Sequence, residues 1–248
     1  MAKTIEIKIK RQLTPDSQPF WEEFSVPHRP NMNMIAALMD IAENPVTRQG
    51  QQTTPVSYDA NCLEEVCGSC AMLINGRARM ACSALLDTLE QPVRLEPFRK
   101  FPVVRDLQVD RAVLFESLKR VRAWVPIDGT YDLGPGPRMS PADQQEAYPI
   151  SRCISCASCL EVCPQMNDET GFVGAAVVAQ VKLFNLHPTG KMHARERLRA
   201  LMGRGGVHEC GYAQNCVEIC PKGIPLTRAI SDVGRDVMWE AVLGFLRR

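Results

Sequence analysis

Residues 62–82 read CLEEVCGSCAMLINGRARMAC, and the spacing of their cysteines decides the fold of the N-terminal part of the chain. Cys62, Cys67 and Cys70 lie close together, and Cys82 follows after eleven residues. Three thiolates in a short loop and a distant fourth are typical of a [2Fe–2S] site. Such a loop lets backbone N–H groups point at the cluster sulfurs, and Gly68 permits a close approach of the backbone. Structural zinc is the alternative, although it normally uses two CxxC pairs.

Two further cysteine runs lie in the C-terminal half of the chain. The second run of the chain, residues 153–164, reads CISCASCLEVCP, and the third run, residues 210–221, reads CGYAQNCVEICP. The second run has the spacing found in bacterial ferredoxins, in which the fourth cysteine ligates the other of two clusters. The third run repeats this pattern, except that Ala213 stands where its second cysteine is expected.

Counting the thiolates predicts three clusters with different iron contents. Without a thiolate at Ala213 there is no protein ligand for a fourth iron, so one cluster is expected to be [3Fe–4S]. A second [4Fe–4S] cluster with water or a non-cysteine ligand at that corner is the alternative. The predicted ligands are Cys62, Cys67, Cys70 and Cys82 for [2Fe–2S], Cys153, Cys156, Cys159 and Cys220 for [4Fe–4S], and Cys163, Cys210 and Cys216 for [3Fe–4S].

Bulk properties agree with a globular metal-binding chain. The 248 residues are 45% hydrophobic and 23% charged, and a net charge of +1 argues against a nucleic-acid surface. No apolar segment is long enough to span a bilayer, and residues 174–184 are expected to form a buried helix. No signal peptide is visible, so the thiols should stay reduced in the cytosol. Eleven grouped cysteines in such a compartment indicate metal binding.

Hydrophobic periodicity predicts an α+β protein with a strand-rich N-terminal part and a helical C-terminal part. Asn75-Gly76 predicts a type I′ hairpin, and Ser140-Pro141 predicts a capped helix start after a Pro/Gly-rich linker that includes residues 134–137. The predicted domains are 1–105, 106–150 and 151–248. Strands are expected at 4–10, 20–26, 71–74, 77–81 and 93–96, and helices at 33–41, 110–122, 171–186, 192–202 and 226–246.

Three stretches resemble the iron–sulfur subunit of succinate:quinone oxidoreductases. They are residues 67–76 (CGSCAMLING), 153–159 (CISCASC) and 216–225 (CVEICPKGIP), and residues 3–245 fit the layout of that family. The resemblance implies a β-grasp domain of the plant-type ferredoxin kind, followed by an all-helical domain of the bacterial ferredoxin kind. All eleven cysteines fall on ligand positions of the family.

The resemblance also implies the partners of the chain. A flavoprotein subunit with FAD would interconvert succinate and fumarate, so this chain should hold no dicarboxylate site. A membrane anchor of the cytochrome b type would exchange electrons with quinone. The chain itself would carry electrons between them, peripherally on the cytoplasmic face of the bacterial plasma membrane.

Three positions depart from the better-known members of that family. Leu63 follows the first cysteine where arginine is common, which should change only the surroundings of the cluster. Asp168 and Gly211 stand where a tryptophan and a histidine contact quinone. We therefore expect quinone to bind mainly through the anchor, and residues 171–176 look closer to the branch whose anchors hold two haems.

Other functions stay open from the residues alone. Fumarate reductase is the same machine run in reverse, and a free ferredoxin-like carrier is a rival class, although small carriers are usually acidic. His208, two residues before Cys210, is a weak candidate for a cluster or quinone contact. The basic run at residues 191–199 is expected to be a solvated face.

Overall fold

The structure, a computed structural model, describes residues 4–126 and 138–246. The chain divides into two compact units: one comprises the residues up to Arg111 together with Ile154–Glu161, and the other comprises Ala112–Cys153 and the residues from Val162 onward. The first unit holds the strands and the second is helical, which confirms the α+β class. The domain limits 1–105, 106–150 and 151–248 stay a prediction, and the linker residues 134–137 lie outside the described residues.

The secondary structure follows in chain order. The strands and helices are β1 (Thr4–Arg11), β2 (Phe20–Pro27), α1 (Met34–Glu43), β3 (Ala71–Ile74), β4 (Arg77–Met80), β5 (Val93–Glu96), β6 (Val103–Arg105), β7 (Gln108–Val109), α2 (Ala112–Arg120), α3 (Pro141–Ser151), α4 (Ser158–Glu161), α5 (Ala175–Leu186), α6 (Ala194–Ala200), α7 (Asn215–Ile219) and α8 (Leu226–Leu246). Short 3₁₀ helices occupy Leu86–Thr88, Gly190–His193 and Val207–Glu209. Within the described ranges, no helix is long and apolar enough to cross a membrane.

The first unit is built on a mixed five-stranded sheet with the order β2-β1-β5-β3-β4. β1 pairs with β5 in parallel, and the other neighbours are antiparallel. The alternate residues Ile5, Ile7 and Ile9 are buried, as the period of two predicts. The predicted hairpin is confirmed, because Asn75 and Gly76 both have the positive φ angles of a type I′ turn.

A buried ion pair fixes the end of β1 in the first unit. The Arg11 guanidinium donates to both carboxylate oxygens of Asp106, at 2.9 and 3.1 Å, and both side chains are fully buried. The same carboxylate accepts the backbone N–H groups of Gln12 and Ser57. These bonds satisfy the buried charges and hold the backbone at Gln12 and Ser57 against Asp106.

The second unit is organised around the buried helix α5, which packs against α3, α6 and α8. The expected buried helix at residues 174–184 is thereby confirmed. Lys182 lies in its middle, and its ammonium group is paired with Asp232 and with Glu146, the latter at 3.2 Å. The capped start of α3 is also confirmed, since the Ser140 hydroxyl accepts the N–H of Asp143.

Of the helices that begin later than predicted, α5 and α6 do so for identifiable reasons. α5 starts at Ala175 and not at residue 171, because the N–H of Val173 donates to Gly205 and Gly174 has a φ of +97°. The stretch predicted as one helix at 192–202 is a 3₁₀ turn followed by α6. The first turn is tightened because the His187 ring nitrogen accepts the N–H of Gly190 at 3.1 Å.

One predicted face of the helical part is wrong. The basic run at 191–199 is not uniformly solvated, because Arg197 is fully buried. Its guanidinium donates to the Asn185 side chain and to three backbone carbonyls, those of Arg122, Trp124 and Gly190.

Candidate metal centres

The four cysteines of the first group come together in the first unit. The thiol of Cys82 lies within hydrogen-bonding reach of Cys70, and the charge of Cys62 helps to raise the pKa of Cys82. Cys67 interacts with Cys62 in turn. Cys70 and Cys82 are buried, whereas Cys62 and Cys67 are half-buried. The loop and the hairpin therefore bring the predicted [2Fe–2S] ligands together as the spacing required.

The loop between the first two cysteines directs backbone N–H groups at sulfur. The N–H groups of Glu64 and Val66 donate to the Cys62 Sγ at 3.5 and 3.4 Å. Leu63 and Glu65 reach this conformation with φ angles near +60°, which is strained for residues with a Cβ atom. Such donors stabilise thiolate and cluster charge, and strain of this kind is concentrated at functional sites.

Hydrogen bonds and burial act in opposite directions on the thiols of this group. The hydroxyl of Ser69, 3.0 Å from the Cys67 Sγ, lowers the pKa of Cys67 to about 6. Burial raises the pKa of Cys82 to about 11, and the neighbouring Cys70 adds to this rise. A buried thiol of this kind releases its proton when it binds metal, because the thiolate is the ligand.

Gly68 brings the first cysteine loop against the second run within the same unit. A Cβ atom at Gly68 would lie 2.4 Å from the carbonyl oxygen of Ile154 and 2.9 Å from the Cα of Cys156. Its φ of +75° is also unfavourable for other residues. Two cysteine loops thus pack backbone to backbone at a position that only glycine fits.

The second run is held by its own strained loop and by a buried carboxylate. Ser155 and Ala157 on either side of Cys156 have positive φ angles. Glu161, at the end of α4, accepts the backbone N–H groups of Arg99 and Lys100 at 3.0 and 3.1 Å. These two bonds attach the segment that carries Cys156 and Cys159 to the sheet domain. Cys153 and Cys220, the other predicted ligands, belong to the second unit.

The third group surrounds a small cavity in the second unit. Cys163, Cys210 and Cys216 line it together with Ala213. Burial raises the pKa of Cys210 and raises that of Cys216 to about 11. The loop before α7 has two residues with positive φ, Tyr212 and Gln214. The three predicted thiolates and the alanine at the fourth corner therefore meet at one place.

The positions that depart from the quinone-contacting pattern also lie in the second unit. A Cβ atom at Gly211 would lie 2.9 Å from Nε2 of Gln165, so this side chain covers the place next to the glycine. Asp168 is exposed, and its backbone carbonyl accepts from Arg204. His208 is 57% exposed, pairs with Glu209 at 3.2 Å and does not line the thiol cavity.

Arg111 is a residue of the first site that the sequence did not reveal. Its guanidinium donates to the carbonyls of Gly68, Ser69 and Ala71. Burial lowers its pKa, while Asp59 and the nearby thiolates act to raise it, and an arginine stays protonated throughout. No local pattern marks it, because its contacts are some forty residues away along the chain.

These residues fit iron–sulfur clusters by donor chemistry and by environment. No disulfide joins any of the eleven cysteines, all of which lie in the described ranges. Within the ranges that the structure describes, no three side chains of His, Cys, Asp or Glu converge closely enough to hold a single metal ion. A cluster places several irons and sulfides between its thiolates, so its ligands need not meet at one point. Three features of these sites suit an anionic cluster. They are the thiols, the N–H donors aimed at Cys62, and the buried Nε of Arg111, which has no acceptor among the described residues.

The fold and the three cysteine groups define a class: an electron-transfer protein with a [2Fe–2S] domain and a dicluster domain. Comparison with protein families agrees with it. Residues 6–116 match a 2Fe-2S iron-sulfur cluster binding domain, and residues 149–224 match a 4Fe-4S dicluster domain.

Relatives narrow the class to one family. The succinate dehydrogenase iron-sulfur subunit of Bacillus subtilis is 58% identical over 98% of this chain and 96% of its own length. The chain belongs to the family of succinate dehydrogenase iron–sulfur subunits. The fumarate reductase iron-sulfur subunit of Wolinella succinogenes is more distant, at 29% identity over 90% of this chain and 91% of its own. A chain of the Mycobacterium smegmatis Sdh1 complex in the apo form shares the fold, with a TM-score of 0.74 over 96% of both chains at 24% identity.

Proposed function

We propose that this chain carries electrons from the FAD of a flavoprotein subunit to a membrane anchor within succinate dehydrogenase. The flavoprotein oxidises succinate, and this chain has no part in the dicarboxylate chemistry. Its task is to hold three redox centres in a fixed order and to exclude water from them. The relatives that act as fumarate reductases are distant, so we assign the direction of succinate oxidation.

One observation from the geometry supports this role most directly. The loop of the first cysteine group packs on the second run at Gly68, where a Cβ atom would lie 2.4 Å from the Ile154 carbonyl. A backbone contact of this kind leaves no room for solvent or a side chain between the loops. A close approach of two ligand loops is the arrangement expected where electrons pass between neighbouring centres.

The ligand sets follow from thiolate counting. When bound by these thiolates, the clusters would supply one-electron redox chemistry. The chain supplies the thiolates and the N–H donors, and at Ala213 it supplies no ligand. We assign [2Fe–2S] to Cys62, Cys67, Cys70 and Cys82, [4Fe–4S] to Cys153, Cys156, Cys159 and Cys220, and [3Fe–4S] to Cys163, Cys210 and Cys216.

The cellular location follows from the partners. An anchor of the cytochrome b type, with haem in the branch that residues 171–176 resemble, would hold the chain on the cytoplasmic face of the bacterial plasma membrane. Quinone would bind mainly to that anchor, because Asp168 and Gly211 provide neither an aromatic wall nor a side-chain hydrogen bond from the histidine position.

The test is reduction of the chain by succinate in the assembled complex. The complex is purified with its flavoprotein, and cluster EPR signals are recorded before and after succinate is added anaerobically. Signals that change with succinate, and that stay unchanged when malonate blocks the flavoprotein, support the proposal. A chain that copurifies with no flavoprotein, or whose signals ignore succinate but respond to dithionite, would refute it and favour a free carrier.

A further inference from the structure

Arg111 binds the first cysteine loop through its backbone carbonyls. Its Nη1 donates to the Gly68 carbonyl at 2.8 Å, and its Nη2 donates to the carbonyls of Ser69 at 2.7 Å and Ala71 at 3.4 Å. Charged donors of this kind form strong hydrogen bonds, and a planar fork fixes the orientation of the groups that it binds. The guanidinium therefore determines where the backbone between Cys67 and Cys70 lies.

The same guanidinium lies near the second cysteine run, because it binds the carbonyl of Gly68, which packs against Ile154 and Cys156. It interacts electrostatically with the thiolates of Cys156, Cys70 and Cys67, which come from two different loops. These loops touch at Gly68, so one cation serves both. Asp59 is the nearby opposing charge. The third nitrogen, Nε, is buried and has no acceptor among the described residues.

A partly buried positive charge beside an anionic centre favours its reduced state. Reduction adds one negative charge, and the low polarity around a partly buried guanidinium strengthens the attraction. Net charge and hydrogen bonding are among the factors that set the reduction potentials of iron–sulfur centres. The effect of Arg111 should therefore be greatest on the two centres whose ligand loops it faces.

We propose that Arg111 is a positioning residue shared by two cysteine loops, and that its charge raises the reduction potentials of both the [2Fe–2S] and the [4Fe–4S] centres. This inference rests on the proposed function, since it requires the clusters. It goes further in assigning a tuning role to a residue that ligates no metal. The reduction potentials of both centres would therefore depend on the same charge, that of Arg111.

The experiment compares four variants of the purified complex. Arg111→Met removes the charge at similar length, and Arg111→Lys keeps the charge but loses the planar fork. Arg48→Met is the matched control, because Arg48 pairs with Glu6 and Glu23 on the β1–β2 side of the same unit. Asp59→Asn removes the opposing charge and keeps an acceptor for Gln108. Redox titration followed by EPR gives the midpoint potential of each cluster, and iron analysis gives cluster content.

We expect R111M to shift the potentials of both centres downward, with a smaller shift in R111K and none in R48M. D59N should shift both upward. Unchanged potentials in an R111M variant that retains its iron would overturn the proposal. If R111M loses its iron, D59N decides, and unchanged potentials there would also overturn it. Absence of clusters from the wild-type chain would instead refute the proposed function, so the two failures are distinguishable.

Discussion

At the residue scale, Ala213 is the clearest link between sequence and cluster chemistry. It stands where the repeated pattern expects a cysteine, and it lines the same cavity as Cys163, Cys210 and Cys216. The position could be predicted because each run carries its own spacing. The structure adds that this position and the three cysteines meet at one cavity.

Ala213→Cys should therefore convert the three-iron centre to [4Fe–4S]. The added thiolate supplies the missing ligand, so iron content should rise by about one per chain and the potential should fall. The three-iron EPR signal of the oxidised protein should disappear. Ala213→Ser is the control, because it is similar in size but provides no thiolate. Retention of the three-iron signal in A213C would show that the ligand assignment at this corner is wrong.

Two glycines with nearly the same backbone conformation separate strain from close packing. Gly68 and Gly76 have φ angles of +75° and +77°, but only Gly68 has neighbours that a Cβ atom would meet. Gly76→Ala should cost about 1–2 kcal/mol of unfolding free energy from backbone strain alone. Gly68→Ala should cost more and should also lower iron content, because the loops of Cys67 and Cys156 must move apart. Equal losses in urea unfolding and iron analysis would argue against a tight contact at Gly68.

The supporting residues could not be predicted in the way that the ligands were. Cysteine spacing is local, so the eleven candidate ligands could be read along the chain. Glu161 and Arg111 act on backbone groups forty to sixty residues away, and no spacing rule connects them. Only the fold reveals that one attaches α4 to the sheet domain and the other binds the Cys67–Cys70 loop.

At the element scale, the predicted bounds of the strands agree with the structure better than the predicted starts of the helices. β3 and α8 have the predicted bounds, because Asn75-Gly76 fixes the hairpin and a long apolar stripe fixes α8. The start of α5 depends on the Gly205 carbonyl, which accepts the N–H of Val173, and the start of α6 depends on the His187 ring, which accepts the N–H of Gly190. Those partners are invisible in a local pattern, so the helices were predicted too long.

Arg197 should be the most sensitive basic residue of the second unit. Arg197→Met would leave three backbone carbonyls, one buried and two partly buried, without their donor, at a cost of about 3 kcal/mol in the free energy of unfolding. Arg195→Met is the matched control on the same helix, since Arg195 is exposed and shares Glu240 with Arg199. It should cost less than about 1 kcal/mol. Similar losses for the two variants in urea unfolding would contradict the structural role of Arg197.

At the scale of the whole molecule, the fold class and the family followed from the sequence, and the structure adds how one segment of the second cysteine run is held. Ile154–Glu161 belongs to the unit that holds the sheet, although it lies within the second cysteine run. The reason is physical: Gly68 and the Glu161 carboxylate hold this segment to the sheet domain. Contacts between segments this far apart along the chain leave no local pattern in the sequence.

The quinone reaction of the complex tests where electrons leave the chain. The double variant Asp168→Ala and His208→Ala should retain most of its succinate:quinone activity, because both side chains are exposed and neither lines the thiol cavity. Succinate:artificial-acceptor activity serves as the control for the clusters. A large loss confined to the quinone reaction would place quinone against this chain and not mainly in the anchor.

The central claim is that eleven thiolates hold three clusters of different kinds, and the most direct measurement is iron analysis combined with EPR on anaerobically purified protein. We predict about nine iron atoms per chain, without stoichiometric zinc. The oxidised sample should show a three-iron signal, and stepwise reduction should add the signals of a [2Fe–2S] and a [4Fe–4S] cluster. A colourless chain with stoichiometric zinc, or one with no three-iron signal when oxidised, would contradict the account.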